Sequence, residues 1–234
     1  MTPEPARPLV LVGVDGEIAP LLTIVRTWAE AGFPEPVWFV QGVRHGRDHP
    51  FGDEIRALAR RHTDLHLDIS YSRARTTDVL GRDYQRNGRV NLATLKRLPP
   101  GPDADFALCG PTDVIAGLQA GLVAWGVPEG RIRQLGEPAP SASKAERSTS
   151  GTTVRFAASG VAAPWQDAHP SLLALAEAEG LNPRFSCRTG ICQACLCPLL
   201  SGEVAYDREP LLTPAPGQVL ICCSRPVGDV VLDL

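Results

Sequence analysis

The sequence predicts a parallel α/β domain followed, across a short linker, by a smaller domain that carries a cysteine cluster. Three observations point there. Apolar strand-like runs alternate with helix-like periodicity up to about residue 135. A stretch rich in Ser, Ala, Pro and Gly then breaks the pattern, and six of the seven cysteines fall between Cys187 and Cys223. The expected organisation is a first domain over residues 1–137, a flexible linker over 138–152 and a second domain over 153–234. At 234 residues the chain is long enough for two cores.

Leu9–Val12 is a short apolar run that reads as a buried strand, and Leu21–Ala31 shows helical spacing. Val37–Val40 repeats the strand pattern, and Phe51–Arg61 is again helical with Ile55, Leu58 and Ala59 on one face. Leu65–Tyr71 alternates as a third strand, Phe106–Leu108 forms a fourth and Val114–Trp125 a helix. Strands alternating with helices predict a parallel sheet covered on both faces, with ligands at the strand C-terminal ends. Beyond the linker, Leu196–Leu200 reads as a strand leaving a loop and Val219–Pro226 as one buried strand.

Composition narrows the classes of function. With 44% hydrophobic and 21% charged residues the chain has an ordinary globular balance. No run approaches bilayer length, and Met1-Thr2-Pro3-Glu4-Pro5 has neither a basic region nor an apolar signal core, so a cytoplasmic protein is expected. An odd number of cysteines at ligand spacing argues against a disulfide framework and for a reducing compartment. A net charge of −3 gives no case for nucleic acid or membrane binding. The excess lies after residue 150, where 5 basic residues face 8 acidic ones; Glu203, Asp207 and Glu209 are candidates for an acidic steering face.

Cys187, Cys192 and Cys195 form C-x4-C-x2-C, and a fourth cysteine arrives far downstream, the spacing of [2Fe-2S] ligands. Four thiolates also suit zinc, but zinc sites usually show two short knuckles rather than one three-ligand loop. Gly190 sits where a side chain would crowd the loop. If Val219–Pro226 is a strand, Cys222 and Cys223 face opposite ways, so only one is a ligand. Cys197, in the strand leaving the loop, reads as a buried, inert thiol. His62 and His66 stand four apart, but Asp64 and Leu65 between them suggest a helix end and a strand start, and Ser70, Ser72 and Ser171 lack a nucleophile-elbow context.

From about Val154 to Leu234 these motifs strongly resemble the plant-type ferredoxin family. The resemblance implies an α+β β-grasp fold and a [2Fe-2S] cluster on Cys187, Cys192, Cys195 and Cys222, the last because the family's fourth ligand stands four residues before a proline, here Pro226. The first half resembles the nicotinamide-binding domain of ferredoxin-NADP reductase-like flavoenzymes. That likeness rests on the strand-loop-helix from Leu9 to Trp28 with Pro20, on Tyr71-Ser72-Arg73 and on Cys109-Gly110-Pro111. It implies a dinucleotide site at Gly16, Pro20, Cys109, Gly110 and Pro111. In this order the halves are similar to the C-terminal part of phthalate-dioxygenase-reductase-type proteins and of MOSC-reductase-ferredoxin fusions.

The chain departs from that family where a Gly-Gly-x-Gly-x-Thr-Pro loop is expected, reading Val14-Asp15-Gly16-Glu17-Ile18-Ala19-Pro20. Asp15 and Glu17 are expected to occupy the anion site at the helix N-terminus and repel a dinucleotide. A nicotinamide gives two electrons and a cluster takes one, so a flavin must stand between them. The flavin-binding barrel would precede Leu9, where only eight residues stand: either the flavin unit is another polypeptide, or the sequence is a fragment, or the first half no longer performs hydride chemistry, and the expectation is a flavin supplied in trans. The expected function is electron transfer between a flavoprotein donor and an acceptor such as an oxygenase or a molybdenum-type enzyme, with NAD(P)H reduction by the chain itself in doubt. The rival expectation is a binding module whose first half docks the ferredoxin to a partner.

Overall fold

The computed structural model describes residues 7–16, 18–135, 151–207 and 209–234. The chain divides into two compact units, Met1–Glu137 and Pro138–Leu234. The expected linker at 138–152 falls outside the described residues except for Gly151 and Thr152.

The first unit is built on a parallel sheet of β1 (Leu9–Val14), β2 (Val37–Val43), β3 (Leu65–Tyr71), β4 (Arg86–Asn87), β5 (Asp105–Cys109) and β6 (Ile132–Leu135), in the order β4-β3-β2-β1-β5-β6. The inner strands read as nearly unbroken apolar runs because a parallel sheet covered on both faces hides every side chain. Leu11, Val12, Phe39 and Val40 are each 0% exposed. Helix α1 (Ala19–Ala31) packs on β1 and β5, and α2 (Gly52–Arg61) packs on β3. On the face of Val10, Val12 and Phe106 lie α3 (Leu92–Leu95) and α4 (Thr112–Trp125), which bring Leu95, Ile115 and Leu122 into one cluster. The helix expected from Phe51 starts at Gly52, because Phe51 adopts φ 58 and closes the preceding turn. His62 ends α2 and His66 lies in β3, so the pair does not share a helix face.

In the second unit the described residues form a five-stranded mixed sheet, β11-β9-β13-β7-β8, and a two-stranded ribbon, β10-β12. Its strands are β7 (Thr153–Phe156), β8 (Val161–Pro164), β9 (Leu196–Ser201), β10 (Val204–Tyr206), β11 (Gln218–Leu220), β12 (Ser224–Pro226) and β13 (Val230–Leu232). β13 runs parallel to β7 and antiparallel to β9, so it holds the middle of the sheet. The sheet grips α5 (Leu172–Ala178), the β-grasp arrangement that the resemblance implies. Ser171 caps α5 by accepting the Ala174 N–H at 3.2 Å, and Leu172, Leu173, Leu175 and Ala176 fill the core beside Phe156 and Leu232.

One element differs from expectation. Val219–Pro226 is not one strand: β11 ends at Leu220, a turn carries Ile221, Cys222 and Cys223, and β12 begins at Ser224. The turn closes through the Cys223 N–H to Leu220 carbonyl bond and is pinned by the Ser224 hydroxyl donating to that same oxygen at 2.9 Å. Strand alternation therefore does not separate Cys222 from Cys223. Among the described residues no helix is long and apolar enough to cross a membrane.

Candidate functional sites: a thiol loop and a sheet-end crevice

The loop from Cys187 to Cys195 is curled by three residues in the left-handed region, Arg188 (φ 55), Gly190 (φ 75) and Gln193 (φ 60). Non-glycine residues there cost about 1 kcal/mol each, so something must hold the curl. The curl turns backbone N–H groups inward onto sulfur, forming a concavity suited to negative charge. Thr189 and Cys192 donate to Cys187 Sγ at 3.5 and 3.4 Å, and Cys187 and Ala194 donate to Cys192 Sγ at 3.4 and 3.5 Å.

Cys187 meets Cys192, and Cys222 meets both Cys195 and Cys223. The Cys192 thiol donating to Cys187 outweighs burial and holds Cys187 down at about 5. Its partner Cys192 is pushed up by the same shared proton and by burial. Cys195 is raised by donating to Cys222 and by burial. At Cys222 the bond from Cys195 lowers the thiol, but Cys223 and burial push it up to about 12. The Ser186 hydroxyl is buried beside this loop with no hydrogen-bond partner.

Cys197 and Cys223 are both buried. Cys197 is 3% exposed, lies near the carbonyls of Pro198 and Asp233, and burial pushes it up to about 11. Cys223 is 7% exposed and turned toward the Leu220 carbonyl. At the loop's outer rim Arg188 makes a two-point bond to Glu177 at 3.0 and 2.6 Å while its guanidinium lies 4.0 Å from the exposed Phe185 ring centre. The proposed acidic face is weakened, because Asp207 is bound by Arg225 at 2.6 Å.

In the first unit the chain turns opposite ways on leaving β1 and β5, the switch point at which such sheets bind ligands. Cys109 ends β5 in register with Gly13 of β1 and is 2% exposed. Gly110 (φ 150) presses on the end of β1: a methyl group there would stand 2.9 Å from Val14 Cβ. Pro111 caps α4, and Pro20 sits in the first turn of α1. A crevice of about 260 Å³ is lined by Asp15, Gly16, Val43, Arg44 and Asp48, so of the five expected dinucleotide residues only Gly16 lines it. Arg44 and Asp48 carry no motif that sequence reading could use; only their place after an apolar run hints at them.

The N-cap residue of α1 is Ile18, which makes no side-chain cap bond. Asp15 precedes it. It adopts φ 60, a conformation that Asp tolerates better than most side chains, and its N–H donates to the Gly42 carbonyl at 2.7 Å. Its exposed side chain lines the crevice instead. Glu17 lies outside the described residues.

Residues 16–120 match the oxidoreductase NAD-binding domain, and residues 155–227 match the 2Fe-2S iron-sulfur cluster binding domain. The chain is 32% identical to the NADPH oxidoreductase of Mycobacterium tuberculosis over 99% of its own length and 57% of that protein. It is 36% identical to the flavohemoprotein of Chromobacterium violaceum over 53% of its own length and 31% of that protein. Its second unit is 41% identical to the ferredoxin-like protein YfaE of Escherichia coli K12, over 30% of this chain and 82% of that one. The chain thus spans only part of the two larger relatives but most of the small one. Through its second unit the chain belongs to the 2Fe-2S iron-sulfur cluster binding ferredoxin family, and ahead of that unit it carries an oxidoreductase NAD-binding domain.

Proposed function

We propose that the chain relays single electrons through a [2Fe-2S] cluster held by Cys187, Cys192, Cys195 and Cys222, between a flavoprotein donor in trans and an acceptor protein such as an oxygenase or a molybdenum-type enzyme. The observation that carries this reading is the loop that turns backbone N–H groups onto the Cys187 and Cys192 sulfurs, with Cys195 and Cys222 packed in the same unit's core. Four thiols so placed suit two irons, each taking two thiolates. When bound, the cluster supplies a one-electron carrier. The chain supplies the rest: inward N–H groups that stabilise thiolate charge, the free Ser186 hydroxyl as a further donor, and apolar packing from Ile191 and Ile221, 0% and 1% exposed, that keeps water out.

The matched domains support electron transfer as the general role. Anaerobic purification with iron and acid-labile sulfide assays tests the cluster. About two of each per chain and a red-brown colour are expected; stoichiometric zinc without sulfide would overturn it.

A second reading has one observation in its favour. Asp15 and Asp48 set two carboxylates beside the single Arg44 in the crevice where a dinucleotide's phosphates would lie. A first unit of that kind serves to dock the ferredoxin unit to a partner rather than to deliver hydride. Micromolar NADH binding would exclude it.

A further inference from the structure

A second cleft, of about 350 Å³, opens on the first unit between β3, β4 and α3, and shares no lining residue with the Asp15 crevice. Arg86, Arg89 and Arg97 all line it, together with Ser70, Asn91 and Thr94. The local charge is strongly positive. Asp68 answers only Arg86, accepting from its Nε at 2.7 and 2.9 Å. Arg89 and Arg97 have no ion-pair or hydrogen-bond partner for their side chains among the described residues, although both are exposed and long enough to reach one.

Ser70 of β3 lines the same cleft, so a hydroxyl stands beside the three guanidinium groups. The cleft is also rigidly framed. Asn91 and Thr94 hold each other in a reciprocal cap, with the Thr94 N–H donating to Asn91 Oδ1 at 3.1 Å. Val90 seats against Gly42 of β2, where a methyl group would stand 2.9 Å from Val90 Cγ2, so the Arg89 backbone is fixed between a packed residue and Gly88 (φ 109).

We propose that this cleft binds the phosphate group of a small phosphorylated molecule, at a site separate from the dinucleotide crevice. Planar guanidinium forks recognise phosphate through two parallel bonds, and three of them with a hydroxyl donor match its several oxygens. Like-charged arginines held together gain most from a doubly charged ligand, which removes their mutual repulsion on binding. The proposal does not depend on the proposed electron-transfer role.

The test uses the full chain with its cluster and inorganic pyrophosphate as the probe, by calorimetry at low ionic strength. Binding is expected to weaken at least tenfold in each of Arg89→Ala and Arg97→Ala, more in the double variant, and severalfold in Ser70→Ala. Arg44→Ala should leave it unchanged. The substituted arginines are exposed, and thermal melting of each variant confirms that it remains folded. Undetectable pyrophosphate binding would overturn the proposal. So would binding that survives the double variant, or that is lost with Arg44→Ala, since the anion would then sit in the crevice.

Discussion

The thiol of Cys223 fills the space beneath Gly190: a methyl group built on that glycine would stand 3.0 Å from Cys223 Sγ. The cluster loop is therefore held at its tightest bend by a cysteine that is not among the four proposed ligands. Gly190→Ala should destabilise the second unit by about 1–3 kcal/mol and speed cluster loss, through both the contact and the left-handed backbone. Adding Cys223→Ala should recover the contact part only, leaving about 1 kcal/mol from the backbone. Decay of visible absorbance under chelator reads both; full recovery in the double variant would mean that backbone strain plays no part.

Serine at Cys222 should abolish or strongly destabilise the cluster, while serine at Cys223 or Cys197 should leave it largely intact. The basis is the contact of Cys222 with Cys195 and the burial of the other two among carbonyls. Iron content and visible spectra of the three variants decide. Loss in Cys223→Ser with retention in Cys222→Ser would reverse the ligand assignment.

The isolated chain should bind NADH or NADPH no more tightly than roughly millimolar, about −4 kcal/mol, and should not reduce its own cluster with either at a useful rate. Replacing Asp15 and Glu17 by glycine should raise dinucleotide affinity without restoring reduction, because in the proposed scheme a flavin in trans performs the two-electron to one-electron step. Calorimetry and anaerobic bleaching of the visible bands, with and without added flavin, separate the two effects. Rapid bleaching without flavin would contradict the proposed need for a flavin in trans.

His49 should stay neutral well below the usual histidine range. Burial, with Arg56 nearby, lowers it to about 4, and its ring is held by Tyr71 at 2.8 Å and Gln41 at 3.1 Å. A depressed pKa means that the unfolded chain takes up the proton first. The stabilising contribution is thus complete above about pH 6.5 and falls away as pH drops toward 4. An NMR titration of the His49 ring should show no protonation above about pH 5, whereas a midpoint near 6.5 would show that the ring is solvated.

Much of the first unit was legible because buried parallel strands are written as apolar runs: Leu65–Tyr71 matches β3 residue for residue, and Leu9–Val12 and Val37–Val40 each lie inside their strands. β4 was not, since two polar edge residues, Arg86 and Asn87, leave no periodic signal. The cysteine spacing was legible because the ligands share one short loop. The turn at Ile221–Cys223 was not, because its residues are as apolar as the strands on either side and only hydrogen bonding to Leu220 breaks the run. At Asp15 the sequence shows a carboxylate but not the left-handed backbone beneath it.

The central position of β13 in its sheet sets an order of events during synthesis. Its first residue, Val230, emerges from the ribosome roughly 35 residues after Cys195, a delay of about two to seven seconds at usual elongation rates. Until then β7 and β9 lack the strand that joins them, and the thiols of the loop are open to whatever the nascent chain meets. Iron delivery and sheet closure become separable steps, and a chain stalled between them would expose three reactive cysteines with nothing to bury them.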